Sequence, residues 1–236
     1  AHLDYLADLR VAAVWLSPIY PSPMADFGYD VADYCDIDPL FGTLADFDRL
    51  LADAHARNIK VVLDWVPNHT SDRHGWFVES RASRDNPKRD WYVWRDAKAD
   101  GSMPNNWTSM FGGPAWEPDA TTGQLYLHSF LKEQPDLNWR NPALVEAMHD
   151  VLRFWLERGV DGFRLDVFNA YFKHPGLEDN PTKFGLRRFD KQIHVNDMDR
   201  PEMMPLLGEL GELLDSYPER YPVGEPFVPT IEKTAH

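Results

Sequence analysis

The sequence predicts an α/β fold, more specifically an incomplete (β/α)8 barrel. Short apolar runs alternate with amphipathic helical patterns, and three of the runs end in a carboxylate: Asp64, Asp166 and Glu225. Such alternation is typical of βα units that join into a parallel sheet. Enzymes built on β/α barrels carry their chemistry at the carboxyl ends of the strands. We therefore expect the three acids to meet at one edge of the sheet.

The first elements follow a helix, strand and helix order. Leu3, Leu6 and Leu9 have helical spacing without a capping residue before them, so we expect the chain to begin inside a helix. The apolar run Val11–Ser17 predicts a buried strand, and a loop rich in Pro and Gly follows it. Thr43 has the features of an N-cap for the next helix, whose apolar positions continue to residue 54.

Three more strands and two more helices complete the regular elements. Ile59–Trp65 is the second predicted strand. Asn141 and Pro142 indicate the start of a long helix, which Gly159 should terminate. A third strand is predicted over residues 160–167, a helix over 206–214 and a fourth strand over 220–225.

Two connections are too long to be ordinary loops. Thr70–Asn138 has 69 residues, rich in Trp, Asn, Gly and Pro, and Val167–Arg200 has 34. A closed eight-stranded barrel usually takes about 250 residues, whereas the four predicted strands of this 236-residue chain make about half a barrel. The predicted organisation is a first barrel part (1–69), an inserted domain (70–138) and a continued, truncated barrel part (139–236).

Composition limits the classes of partner. The net charge of −14 disfavours binding to nucleic acid and to anionic membranes, but it does not disfavour neutral sugars. Cys35 is the single cysteine, so no intrachain disulfide can form. No apolar run reaches the length of a membrane span and no signal peptide opens the chain, so a cytoplasmic location is expected. The oligomeric state is left open.

Arg164 and Asp166 lie two residues apart in the third strand, so their side chains should share one face of the sheet. Two closely spaced acids are what retaining glycoside hydrolysis requires, one as nucleophile and one as acid/base. The nucleophile of that reaction has to be ionised, and an arginine beside a carboxylate favours the ionised form. The alternative interpretation is a structural ion pair at the rim of a barrel.

Glu225 lies between Gly224 and Pro226, which exposes its carboxylate at the tip of a strand. A general acid needs a raised pKa, and partial burial near Asp166 could raise that of Glu225. By itself, this pattern also describes an exposed loop acid.

Asp64 ends the second strand, and His69 follows in the loop, where its imidazole could donate a hydrogen bond to a substrate hydroxyl. His69 could equally be a capping or core histidine. Its spacing from His74 does not match a helical metal pair, and we expect no metal site from the histidines.

Together these segments resemble the α-amylase superfamily, glycoside hydrolase family 13, over nearly the whole chain. The segments DWVPNH, GFRLDV and VGEP resemble the first three conserved regions of the family. QPDLN, starting at Gln134, and DFGYD, starting at Asp26, are similar to the oligo-1,6-glucosidase and α-glucosidase branch. The resemblance implies barrel strands 2 to 5, with a small domain B inserted after the third barrel strand.

The resemblance also implies a role for each position. Asp166 would be the nucleophile and Glu225 the acid/base. Arg164 would orient Asp166, while Asp64 would be a structural support. The remaining positions would bind the terminal glucose. Asp26 and His69 would bind hydroxyl groups of the sugar, and Tyr29 would stack beneath the sugar ring. The connection from Val167 to Arg200 would shape the aglycone side of the pocket.

Some features of the family are not found in these 236 residues. The fourth region, with its third catalytic Asp, does not occur, so we expect the chain as given to be inactive alone. The implied calcium-binding loop belongs to the segment before the chain, and no cofactor is expected within the chain itself.

The resemblance predicts a retaining, exo-acting α-glucosidase that acts on short oligosaccharides or sucrose-like glucosides. The alternatives are a transglucosylase or an isomerase of the same family, such as a sucrose isomerase or a trehalose synthase, and a non-catalytic relative. The presence of Asp166, Glu225, Arg164 and His69 disfavours the non-catalytic alternative.

Overall fold

The computed structural model describes residues 2–227. This part of the chain contains two sheets, one of four parallel strands and a smaller antiparallel one of three strands. The strands, numbered in chain order, are β1 (Ala13–Leu16), β2 (Lys60–Trp65), β3 (Trp94–Arg95), β4 (Trp116–Pro118), β5 (Leu125–Leu127), β6 (Gly162–Leu165) and β7 (Tyr221–Gly224).

Five α-helices occur between residues 2 and 227. They are α1 (Leu3–Asp8), α2 (Leu44–His55), α3 (Gly75–Ala82), α4 (Pro142–Glu157) and α5 (Met203–Asp215). Two predicted N-caps and one predicted C-terminal glycine are confirmed. The Thr43 hydroxyl accepts from the backbone of Asp46 while the Asp46 carboxylate accepts from the backbone of Thr43. The Asn141 side chain accepts from the first turn of α4, and Gly159 follows that helix with a φ of +98°, which favours glycine. Helix α1 begins at Leu3 with no side-chain cap.

The parallel sheet has the order β1-β2-β6-β7. The four predicted strands are confirmed, although each is shorter than predicted. In the described residues the first strand is not buried as predicted, because β1 lies at an edge of this four-stranded sheet and the Trp15 side chain is 50% exposed. An apolar run indicates a strand but does not tell how many of its faces are covered.

One face of the parallel sheet belongs to the main core. Its buried side chains include Leu63, Trp65, Phe163 and Leu165, which cluster with apolar residues of α2, α4 and α5. The ring of Trp155 on α4 lies 5.2 Å from that of Phe47 on α2, in an edge-on contact. The alternation predicted for β6 is confirmed: Phe163 and Leu165 point into the core, and Arg164 points to the opposite face.

The predicted inserted segment contains more regular structure than expected. Strands β3, β4 and β5 form an antiparallel sheet in the order β3-β5-β4, and the prediction of four strands in the chain omitted them. Strands of two or three residues are too short to produce a recognisable alternation of side chains. The domain boundaries at residues 69/70 and 138/139 stay a prediction.

The tryptophans of this segment are mostly core residues. Trp94, Trp107 and Trp116 are buried, and Trp94 stacks on Phe77 of α3 with ring centroids 5.6 Å apart. The buried guanidinium of Arg89 lies 3.5 Å above the Trp94 ring. The high Trp content therefore serves packing within this segment.

Asp161, directly before β6, joins three elements at the end of the sheet opposite to the acids. Its buried carboxylate accepts from the backbone N–H of Val61 at 2.8 Å and from His55 Nε2 at 2.6 Å, and it pairs with Lys60 Nζ at 3.2 Å. Burial alone would raise the pKa of Asp161, but these hydrogen bonds outweigh burial and lower the pKa below its usual value.

We expect Asp161→Asn to destabilise the complete protein at pH 7 by about 2–3 kcal/mol, because charge-assisted hydrogen bonds are lost. A lowered pKa in the folded state stabilises the fold above the unfolded-state pKa of about 4. That contribution disappears as the pH falls through the folded-state pKa. The difference in thermal unfolding midpoint between parent and variant should therefore shrink from pH 7 to pH 3.5. A difference that stays constant over this range would contradict the role of the charge.

Candidate active site

The carboxyl ends of β2, β6 and β7 place the three acids next to one another. Asp64 lies within β2 and pairs in register with Arg164 of β6. Asp166 follows the last residue of β6, and Glu225 follows the last residue of β7. Because these three parallel strands are neighbours, acids separated by up to 161 positions in the sequence meet at one edge.

Arg164 connects the three acids. Its Nη1 atom lies 2.6 and 2.7 Å from the two carboxylate oxygens of Asp64 and 3.0 Å from Asp166 Oδ1. Its Nη2 atom donates to Glu225 Oε2. The guanidinium also lies 5.0 Å from the centre of the Trp15 ring. One positive charge is thus shared among three carboxyl groups.

Burial changes the protonation of this cluster. Burial raises the pKa of Asp64 to about 6, although Arg164 and the hydroxyl of Tyr29 oppose that shift. Asp166 is buried as well, and burial together with the charge of Asp64 raises its pKa far above the ordinary range of aspartic acid. Arg164 lowers the pKa of Asp166, but by less, and a hydrogen bond with Glu225 raises it further. Arg164 therefore favours the ionised form of Asp166, as expected, while burial and the neighbouring acids oppose it, a balance that the sequence could not show.

The backbone around Asp166 and Glu225 is closely constrained. Val167, the residue after Asp166, has a φ of +44°, which is an outlier for a β-branched residue. Strain of this kind is concentrated at functional sites, where surrounding contacts maintain it. Gly224 lies so close to the Phe168 ring that an added Cβ atom would come within 2.8 Å of it. The side chain of Glu225 itself is 52% exposed.

The loop after β1 brings Asp26 and Tyr29 towards the acids. The Tyr29 hydroxyl donates to Asp64 Oδ2 at 3.1 Å, and its ring centre lies 5.9 Å from the Arg164 guanidinium. Asp30, which is fully buried, shapes the loop because its carboxylate accepts from the backbone N–H groups of Ala25 and Asp26.

His69 is buried, with 1% of its surface exposed. Its Nε2 atom lies 3.0 Å from the amide nitrogen of Gln134, which also donates to Asp26 Oδ2 at 2.9 Å. Burial lowers the pKa of His69 to about 4, so that the imidazole is neutral at pH 7. Gln134 thereby links the two predicted sugar-binding residues, Asp26 and His69.

Among the buried polar residues in the loop after β6, sequence reasoning did not single out Lys173 and Asn169. The ammonium group of Lys173 pairs with Asp136 at 2.9 Å and donates to Asn68 Oδ1 at 3.2 Å. The side chain of Asn169 bonds to the backbone of Phe227, beyond β7. Neither residue belongs to a recognisable motif, and their partners are distant in the sequence.

The arrangement offers acid–base and nucleophilic chemistry. Asp166 and Glu225 come from adjacent strands and are in contact, with a guanidinium beside both. Such a pair can attack a carbon centre and transfer a proton to a leaving oxygen.

Among residues 2–227, no group of three or more His, Cys, Asp or Glu side chains is arranged to hold a metal ion. In the same residues, no helix has both the length and the apolar character that crossing a membrane requires.

Comparison with known proteins agrees with this chemistry. The family model of the α-amylase catalytic domain matches residues 1–236. The chain is 52% identical over 235 residues to a probable α-glucosidase of Rhizobium meliloti (strain 1021), covering 95% of this chain and 43% of that protein. It is 50% identical over 216 residues to an oligo-1,6-glucosidase of Heyndrickxia coagulans, covering 91% and 38%.

A crystal structure of an α-glucosyl transfer enzyme matches with a TM-score of 0.93 at 51% identity, covering 94% of this chain and 44% of that one. The chain therefore spans about two fifths of the length of the relatives that it matches.

Proposed function

Because the chain belongs to the α-amylase family, we propose that the complete protein is a retaining, exo-acting α-glucosidase. Its substrates would be short oligosaccharides or sucrose-like glucosides with a terminal α-linked glucose. The observation that carries this proposal is the meeting of Asp166 and Glu225 around Arg164 at the ends of adjacent strands. The names of the similar proteins, a probable α-glucosidase and an oligo-1,6-glucosidase, support the same substrate class.

The proposed reaction has two displacement steps. In the first, a carboxylate oxygen of ionised Asp166 attacks the anomeric carbon, and the bond to the leaving oxygen breaks as the Glu225 carboxyl donates its proton to that oxygen. This forms a β-glucosyl ester on Asp166. In the second, Glu225 takes a proton from water, and the water oxygen displaces Asp166 from the anomeric carbon. Glucose leaves in the α configuration, and both carboxyl groups return to their starting state.

The surrounding residues have distinct roles in this proposal. Arg164 stabilises the ionised form of Asp166 against burial, and Asp64 holds Arg164 in place through two short contacts. Asp26 and neutral His69 would bind sugar hydroxyls, with Gln134 fixing the distance between them. Tyr29, oriented by Asp64, would stack beneath the glucose ring.

We also propose that the parallel sheet is strands 2 to 5 of a closed (β/α)8 barrel, with residues 70–138 as an inserted domain B. Two features support this proposal. The acids lie at the carboxyl ends of the strands, as in barrel enzymes. Exposed apolar side chains, among them Trp15 and Val223, also occupy the face of the sheet that would point into such a barrel.

A transglucosylase or isomerase of the same family is the second candidate. It would form the same ester on Asp166, but a sugar hydroxyl instead of water would capture the glucosyl group. The similarity to an α-glucosyl transfer enzyme favours keeping this candidate. Product analysis with maltose and sucrose separates the two: glucose without new disaccharides indicates hydrolysis, and new disaccharides indicate transfer or isomerisation.

The proposed function is tested on the complete protein with 4-nitrophenyl α-glucoside. Proton NMR follows the anomeric signal of glucose during the first minutes, before the two anomers equilibrate. We expect α-glucose to appear first, because two inversions at one carbon restore the configuration. Initial release of β-glucose would show a single displacement and would contradict the assignment of Asp166 as nucleophile.

A further inference from the structure

Asn169 lies three residues after Asp166, in the short helical turn Phe168–Ala170. Its side chain is buried and makes three hydrogen bonds. The Oδ1 atom accepts from the backbone N–H of Phe227 at 2.9 Å, and Nδ2 donates to the backbone carbonyl of Phe227 at 2.9 Å. Nδ2 also donates to Asp199 Oδ1 at 2.8 Å. Both N–H groups and the oxygen of the amide are thereby engaged, which fixes its orientation.

The two bonds to Phe227 have the pattern of a backbone pairing. A side-chain amide that accepts from the N–H and donates to the carbonyl of one residue replaces a neighbouring strand at that residue. The regular pairing of β7 with β6 ends just before, where the backbone N–H of Glu225 donates to the carbonyl of Leu165 at 3.0 Å. Glu225 therefore lies between two anchors, one in the sheet and one at Asn169.

These anchors matter because the Glu225 carboxylate contacts both Arg164 and Asp166. Its placement relative to Asp166 depends on where the backbone of Glu225 is held. A general acid must lie within hydrogen-bond reach of the oxygen that it protonates. Small shifts of the segment after β7 would move the carboxyl group out of that reach.

We propose that Asn169 is a positioning residue for Glu225. It joins the loop that follows the nucleophile to the segment that follows the acid/base, so that the two carboxyl groups keep one relative placement through both steps. This inference rests on the proposed function, in which Glu225 is the acid/base.

The test uses the dependence of rate on the leaving group. Phenyl α-glucoside has a poor leaving group that needs protonation, whereas α-glucosyl fluoride releases fluoride without a strong need for a general acid. General acid catalysis contributes about 10²- to 10⁴-fold where it is needed. For Asn169→Ala in the complete protein, we expect kcat/KM to fall roughly 10- to 100-fold with phenyl α-glucoside and less than about 3-fold with the fluoride.

Ser80→Ala is the matched control. Ser80 is a fully buried residue of α3, outside the connection that follows β6, and its hydroxyl donates to the backbone carbonyl of Arg89 at 3.1 Å. We expect its substitution to change kcat/KM for both substrates by the same small factor. If Asn169→Ala does not fold, Asn169→Asp replaces it, since that variant keeps the shape and the acceptor to Phe227 but removes both donated bonds.

Glu225→Gln, assayed in parallel, distinguishes a failure of the proposed acid/base role of Glu225 from a failure of the positioning role of Asn169. If kcat/KM of Glu225→Gln falls by the same factor for both substrates, the assignment of Glu225 as acid/base fails. The positioning role of Asn169 then fails with it. The other outcome is that kcat/KM of Glu225→Gln falls much more with phenyl α-glucoside than with the fluoride, whereas kcat/KM of the Asn169 variants falls equally for both substrates or does not fall. That outcome overturns only the inference about Asn169.

Discussion

Asp166→Asn should reduce the turnover of 4-nitrophenyl α-glucoside by the complete protein by a factor of about 10⁴ or more. An amide oxygen is a poor nucleophile, so the covalent route closes while substrate binding persists. A loss of this size corresponds to at least about 5 kcal/mol of transition-state stabilisation, since each factor of ten is about 1.36 kcal/mol. The measurement is kcat under saturating substrate.

Asp161→Asn is the matched control for this prediction. Both residues flank β6, one at each end, and both carboxyl groups are buried and paired with basic side chains. The same chemical change at Asp161 should lower the unfolding midpoint and leave kcat within about 3-fold of the parent, because that end of the sheet carries no proposed chemistry. Near-parental turnover by Asp166→Asn would show that another group is the nucleophile.

The protonation of Asp166 links this prediction to pH. The attack requires the ionised carboxylate, while burial and Asp64 favour the protonated form. Arg164 is the contact that opposes them, so the geometry around its guanidinium sets how much of Asp166 is ready to react. The sequence showed that Arg164 and Asp166 share a face, but it could not show that burial would exceed the effect of the arginine.

Most of the features that could be predicted from the sequence were local, and the meeting of the acids was the exception. The alternation of side chains in β6 follows from strand geometry, and the caps at Thr43, Asn141 and Gly159 follow from the first and last turns of helices. The acids could be placed together because each ends a strand of one parallel sheet. That reasoning requires only that the strands are parallel and that each of them ends in an acid.

The features that could not be predicted depend on long-range contacts. Asn169 lies 58 residues from Phe227, and Lys173 lies 105 residues from Asn68. Nothing in the sequence near a buried asparagine or lysine tells which distant backbone or side chain it will contact. The short strands β3, β4 and β5 escaped detection for a related reason, since their pairing partners and not their own pattern define them.

Lys173→Met should be the most destabilising of the variants considered, with a loss of about 3–5 kcal/mol in the free energy of unfolding. The Lys173 side chain is 4% exposed, and the Asp136 carboxylate that it contacts is fully buried. Methionine has a similar length and fills the space, but it leaves the Asp136 charge without its cation. Thermal and urea unfolding of the complete protein measure the loss.

Lys88→Met is the control, because Lys88 pairs with Glu79 at 2.6 Å, where the Glu79 side chain is 52% exposed and solvent already weakens the pair. A surface pair of this kind contributes about 1 kcal/mol or less. Combining Lys173→Met with Asp136→Asn tests the cause directly, since removing the uncompensated charge should recover part of the stability. Equal losses in the free energy of unfolding for Lys173→Met and Lys88→Met would contradict this prediction. They would show that the Lys173 ammonium group does not hold together the loop after β2, the loop after β6 and the inserted segment.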